Sequence, residues 1–248
     1  MKWLLPFCCL YLLLLKPCPH FNHKNLYRDI ETKERDYTSI LPPVLQQRFT
    51  YLGEGAQVYA FASEDGAYVL KIFKGRHKKS FKISRFLSHL KHPIANCKAQ
   101  TAEWKVKFAD TCRRYEMAFD HLREETGLIL LHFQQTATPL PVTLLDRSAH
   151  RVDLSALPFI LQKKAILTPE YFRQNPTKHA EAKQALKDFF VRRAQKGFSD
   201  PRQTLSINYG FIDDTPIQID VGKIEPFHGD IEAELKKIHM RIDAWESK

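Results

Sequence analysis

Residues 48–73 restrict the possible fold more than any other stretch of this chain. Apolar residues run through 49–52 and 58–62, Gly53 and Gly55 part the two runs, and Asp65-Gly66 leads into a third run at 67–73. Strand-like segments on either side of glycine turns, with an Asp-Gly pair suited to a tight two-residue connection, predict three successive antiparallel strands. Such a meander must bury one of its faces, so a helix or further strands have to cover it.

The downstream pattern supplies that cover. A helical stretch follows, interrupted at His92-Pro93, and its second part over 99–125 places Trp104, Phe108, Tyr115, Phe119 and Leu122 at helical spacings. Gly127 is positioned to stop it. Residues 128–133, 142–146 and 159–162 read as strands, giving a five- or six-stranded sheet with one major inserted helix. Beyond 165 the chain reads as mostly helical. Thr168-Pro169-Glu170 is the pattern of an N-cap followed by proline at the first helical position. A helix over 177–196 carries Ala182, Ala185, Leu186 and Phe189 on one face and ends at Gly197. A hairpin over 209–212 and 217–220 follows, and Gly229-Asp230 caps a last amphipathic helix reaching about Trp245. These segments divide the chain into a hydrophobic leader (1–19), a polar linker (20–47), a sheet-bearing unit (48–164) and a helical unit (165–248).

A composition of 44% hydrophobic residues with only nine glycines specifies a globular body. The net charge of +10 is concentrated: between Lys71 and Ala102 there are nine Lys or Arg residues and no Asp or Glu. Such a block serves either as a solvated helix face or as a surface for anions, including acidic lipid. Nucleic acid is not the expected partner, because no aromatic residues alternate with the charges in a binding motif. The cysteines at 8, 9, 18, 97 and 112 show neither CxxC nor His/Cys zinc spacing. Cys97 and Cys112 are expected as small buried side chains. The apolar run over 3–15 spans roughly 20 Å as a helix, short of the ~30 Å hydrocarbon core. It reads as a signal-type segment or as an uncleaved or monotopic anchor, since Lys16-Pro17-Cys18-Pro19 is a poor cleavage site. Lys16, Lys24 and Arg28 outweigh Lys2, which favours a membrane-associated protein with a cytoplasmic body. Export is the alternative.

Three segments carry candidate chemistry. Gly53 and Gly55, in LGEGAQVYAF, leave backbone N–H groups open to phosphate oxygens. Lys71, in VLKIF, sits on an apolar strand where an ammonium needs a carboxylate or phosphate partner. Asn208 and Asp220, 12 positions apart in NYGFIDDTPIQIDVG, offer oxygen donors for a hard cation. Each feature also has a structural use: a hairpin turn, a surface lysine, an Asx turn.

Taken in order, the segments resemble the protein-kinase-like superfamily over about residues 49–230. Gly53 and Gly55 are similar to the first two glycines of G-x-G-x-x-G-x-V, with Val58 in place of the third. Lys71 is similar to the lysine of Val-Ala-Ile-Lys, and Asp220-Val221-Gly222 to Asp-Phe-Gly. The resemblance implies an α+β, two-lobed fold: an antiparallel sheet lobe with an inserted helix, and a reduced, mostly helical second lobe. It implies ATP and Mg2+ as cofactors, with Lys71 on the phosphates, Asn208 and Asp220 on the metal, and the backbone near Gln162 on adenine. Glu116 is expected to orient Lys71, with Glu103 as the alternative. Asp200 is the expected catalytic aspartate, although no His-Arg-Asp triplet surrounds it. Its eight-residue interval to Asn208 exceeds the family's spacing. Only 26 residues follow Gly222 and no Ala-Pro-Glu motif is present, so the acceptor is an unidentified hydroxyl on lipid, saccharide or protein. The alternative implied is a catalytically impaired relative that binds nucleotide or a partner.

Overall fold

The computed structural model describes residues 21–28, 43–75, 93–202 and 204–245, with backbone alone over 93–102. The chain is α+β. Strands β1 (Arg48–Glu54), β2 (Val58–Ser63) and β3 (Tyr68–Phe73) form the expected antiparallel meander. The Asp65-Gly66 turn is closed by the Asp65 carboxylate, which accepts from the Ser63 hydroxyl at 2.5 Å and the Ala67 N–H at 2.9 Å. Helix α1 (Pro93–His121) follows, then a single turn α2 (Arg123–Thr126) that ends at Gly127 with a left-handed φ of 62°. Strands β4 (Leu128–His132), β5 (Pro141–Leu145), β6 (Ala149–Asp153) and β7 (Phe159–Lys163) complete one sheet of order β4-β7-β3-β2-β1-β5-β6.

This sheet has seven strands and is mixed. Two features depart from the sequence expectation. The short, half-exposed β6, Ala-His-Arg-Val-Asp, has its two apolar residues three apart, so no period-2 apolar alternation marks it. Strand β5 pairs parallel to β1, with Phe49 opposite Leu144, a contact across more than ninety residues that local pattern does not encode.

The second half begins with β8 (Ile166–Leu167) and α3 (Thr168–Gln174). Thr168 does not cap α3 as expected: its buried hydroxyl donates to the Tyr209 carbonyl at 3.0 Å, tying the helix start to a strand instead. Helix α4 (His179–Gln195) buries Ala182, Leu186, Phe189 and Phe190, and Gly197 closes it with φ 81°. After β9 (Phe198–Ser199) and the turn α5 (Leu205–Asn208), β10 (Tyr209–Ile212) and β11 (Thr215–Gln218) form a hairpin against β8. A side chain at Gly210 would put its Cβ 2.5 Å from the Ile166 carbonyl oxygen, so only glycine admits β8 here. β12 (Glu225–Pro226) pairs with β9, and α6 (Ile231–Asp243) starts at Asp230, whose carboxylate accepts from the N–H groups of Glu232 and Ala233.

Apolar burial falls into three clusters. One fills the face of the large sheet around Phe49, Tyr59, Phe61, Leu70 and Leu161. A second joins α3, α4, β10 and α6 through Phe172, Phe189, Tyr209 and Ile238. A third brings Phe73, Tyr115, Leu122 and Ile160 from the first half against Val221 and Ile224 from the second. Residues 21–27, expected as linker, contribute Phe21, Leu26 and Tyr27 to these clusters, because aromatic edges at Tyr59 and Phe61 accept the Phe21 ring at 5.2 and 5.1 Å. The leader, residue 20, and most of the basic stretch (76–92) lie outside the described residues.

Candidate functional site

The pleat of the large sheet sets one row across four strands: Gly53 on β1, Ala60 on β2, Lys71 on β3 and Ile160 on β7 are successive partners. Paired residues in antiparallel strands present their side chains to the same face. Lys71 therefore rises beside two positions with little or no side chain. Gly53 holds φ +155°, and a Cβ there would meet nothing within 4 Å. At Gly55, which is exposed, it would meet only Val58 Cγ2 at 3.8 Å. A bulge between Tyr51 and Gly53 turns the strand away at this point.

Lys71 is half-buried, and its ammonium donates to the main-chain carbonyl of Ile219. Loss of hydration lowers its pKa from 10.5 to about 8, and the Asp220 carboxylate opposes that shift. The Asp220 carboxylate is exposed and accepts from the Gly222 N–H at 3.0 Å. Asn208 meets the same turn: its carbonyl accepts from Ile219 N–H at 2.8 Å and from Asp220 N–H at 3.4 Å. Lys71 from β3 and the segment that carries Asn208 and Asp220 thus meet at the Ile219–Asp220 turn.

Four expected residues stand elsewhere. Glu116 is exposed, and among the described residues no ion pair joins it to Lys71; its charge acts on the Cys112 thiol, whose pKa burial raises first. Glu103 is also exposed and pairs with Lys107 one helical turn along. The rotation of α1 turns Tyr115 inward instead. Burial and then the Asp220 charge push its phenol well above the ordinary range. Gln162 is 1% exposed, and its amide donates to the carbonyls of Thr126 at 2.5 Å and Gln218 at 3.3 Å. The adjacent N–H groups of Lys163 and Lys164 donate to Gly127 and Ala67 carbonyls, so this strand is bonded on both sides. Gln162 ties the sheet to the hairpin. Asp200 is fully buried, with Oδ1 accepting from Arg202 N–H at 2.9 Å and Oδ2 from Gln218 Nε2 at 2.7 Å. It holds a turn.

Sequence reading missed the strongest pair in the region. Lys74, 4% exposed, places its ammonium 2.9 Å from Glu54 Oε2, 2.6 Å from the Gly55 carbonyl and 4.7 Å from the Tyr59 ring centre. This pair fastens the glycine turn to the end of β3. The signal was present: a lysine three residues past Lys71 and a glutamate between the two glycines.

No family model matches the chain, and no curated protein matches it. Among solved structures, the complex of Rv3197 with erythromycin from Mycobacterium tuberculosis is 13% identical with a TM-score of 0.35. The match covers 75% of this chain and 48% of that one, so this chain spans about half the length of its structural neighbour.

Proposed function

We propose that this chain is an atypical kinase-like phosphotransferase that binds ATP with Mg2+ and transfers a phosphoryl group to a hydroxyl acceptor. The carrying observation is the meeting of the Lys71 ammonium with the Ile219–Asp220 turn, on a sheet row that runs through Ala60 to Gly53. The residues present fit a hard cation. Mg2+ is commonly held by one or two carboxylates with the remaining positions filled by phosphate and water, and Asp220 is an exposed carboxylate with Asn208 beside it. When bound, the cation neutralises charge on the transferring phosphoryl group.

The remaining work belongs to this chain. Lys71 supplies a positive charge whose present partner is a neutral carbonyl, leaving it responsive to an anion. The glycine turn presents backbone without side chains, and Lys74 with Glu54 keeps that turn in place. Preorganised charge of this kind is the main protein contribution to phosphoryl transfer. A second reading, a nucleotide- or partner-binding module without transfer, is favoured by one observation: Asp200 is wholly buried and both its oxygens accept hydrogen bonds.

The test is thermal denaturation with and without ATP–Mg2+, followed by phosphoryl transfer from labelled ATP to lipid, saccharide and protein acceptors. The expected result is a rise in Tm that Lys71→Ala and Asp220→Ala each abolish. A rise that survives both substitutions overturns the site, and binding without transfer to any acceptor selects the second reading. The expected membrane association rests on sequence alone; among the described residues no helix is long and apolar enough to cross a membrane.

A further inference from the structure

Gln218 closes β11 and is wholly buried, and every polar group of its side chain is engaged. One amide donor reaches Asp200 Oδ2 at 2.7 Å and the main-chain carbonyl of Asp220 at 2.9 Å, while the amide oxygen accepts from Arg193 Nη1 at 3.0 Å. Its own main-chain carbonyl accepts from Gln162 Nε2 at 3.3 Å. Arg193, 2% exposed, also donates to the Tyr209 hydroxyl at 2.8 Å and lies 4.9 Å from the Phe190 ring centre. One residue thereby links α4, the Asp200 turn and the Asp220 turn through its side chain and, through its main chain and Gln162, the large sheet.

The chemistry leaves little freedom in the residue type. An amide offers two donor hydrogens and an acceptor oxygen on one planar group. The guanidinium on one side requires the oxygen and the carboxylate on the other requires the NH2, so the two buried charges fix its orientation. A carboxylate at 218 would face Asp200 with like charge, and an apolar side chain would leave Asp200 and Arg193 short of a partner in the interior.

We propose that Gln218 is a positioning residue: backed by Arg193, it clamps the Asp200 turn to the Asp220 turn and so holds the Asp220 carboxylate at Lys71 for an incoming polyphosphate. The role in ligand binding rests on the nucleotide reading above; the clamp itself does not. It also gives buried Asp200 a function that needs no exposure: the carboxylate anchors the amide that sets Asp220.

The full chain tests this with Gln218→Met and Gln218→Glu, measuring ATP–Mg2+ affinity and amide hydrogen exchange without nucleotide. Gln218→Met weakens affinity by roughly tenfold or more, the loss expected when buried charged groups lose a bonding partner. Gln218→Glu, whose carboxylate has no donor hydrogen for Asp200 or the Asp220 carbonyl, is expected to weaken affinity at least as much. A mere packing role leaves Gln218→Met close to the unsubstituted protein and overturns the proposal. If the unsubstituted chain binds no ATP–Mg2+, the nucleotide reading fails and exchange decides the clamp. In Gln218→Met the Arg202 and Ile219 amides, which donate to Asp200 Oδ1 and the Asn208 carbonyl, are expected to lose protection together by about tenfold or more. Unchanged protection in either segment overturns the clamp. Should Gln218→Met not fold, exchange in Gln218→Glu decides alone, and unchanged protection of the Arg202 and Ile219 amides overturns it.

Discussion

The end of β3 carries two lysines three residues apart, and the fold treats them oppositely. Lys74 is buried against a carboxylate at 2.9 Å, a carbonyl at 2.6 Å and an aromatic face. Lys71 keeps a hydrogen bond to a carbonyl, has Asp220 near enough to raise its pKa, and still titrates at about 8. A fully satisfied buried cation locks backbone, whereas an incompletely satisfied one retains affinity for an anion. On the proposed reading, the contrast is that between a structural lysine and a binding one.

The comparison can be broken most sharply at Lys74. Lys74→Met leaves Glu54 largely buried beside the glycine turn without its cation, and about 3 kcal/mol of unfolding free energy is expected to be lost in urea titration. Lys71→Met should behave in the opposite way. Removing a poorly solvated ammonium keeps stability within ~1 kcal/mol of the unsubstituted chain, while ATP–Mg2+ affinity measured by calorimetry falls about tenfold or more. Equal stability losses at the two positions would erase the distinction.

The distinction sharpens with pH. The folded pKa of Lys71, about 8, lies below its usual 10.5, so between these values the unfolded chain binds more protons. Its contribution to stability therefore rises as pH climbs from about 8 to 10.5 and is lost as pH falls through about 8. Polyphosphate affinity runs the other way, falling as the ammonium deprotonates. Urea titrations and nucleotide titrations across this window are expected to show opposing slopes, and Lys71→Met is expected to flatten both. The smallest effects belong to the glycines. Gly53→Ala should cost ~1 kcal/mol because of its φ of +155°. Gly55→Ala, with only Val58 Cγ2 at 3.8 Å, should leave unfolding free energy within ~0.5 kcal/mol.

Much of the local architecture was legible before any coordinates. The β1–β2–β3 meander follows from strand periods around Gly53 and Asp65-Gly66, and α4 follows from the stripe of Ala182, Leu186 and Phe189 ended by Gly197. The candidate site was legible only in part. Lys71 could be singled out because an ammonium on an apolar strand needs a partner, and Asn208 and Asp220 because their interval resembles that of a metal-binding Asn and Asp. Glu116 shows where such reasoning stops: the helix was correctly placed, but its rotation turns Tyr115 inward and Glu116 to solvent. Gln162 and Asp200 were located as residues, yet their burial and bonds arise from packing against α2, Arg202 and Gln218.

The sequence alone determined the elements whose causes are local: alternation for strands, the 3.6-residue stripe for helices, and glycine, Asp-Gly and Asp230 at the stops and starts. Only the tertiary structure decided which polar groups meet. The parallel β1–β5 pairing, the Lys74–Glu54 lock and the Arg193–Gln218–Asp200 chain each join segments through contacts and burial that come into being when distant layers close. A side chain's charge is written in its letter, but its loss of water and its partners come from neighbours brought in by the fold.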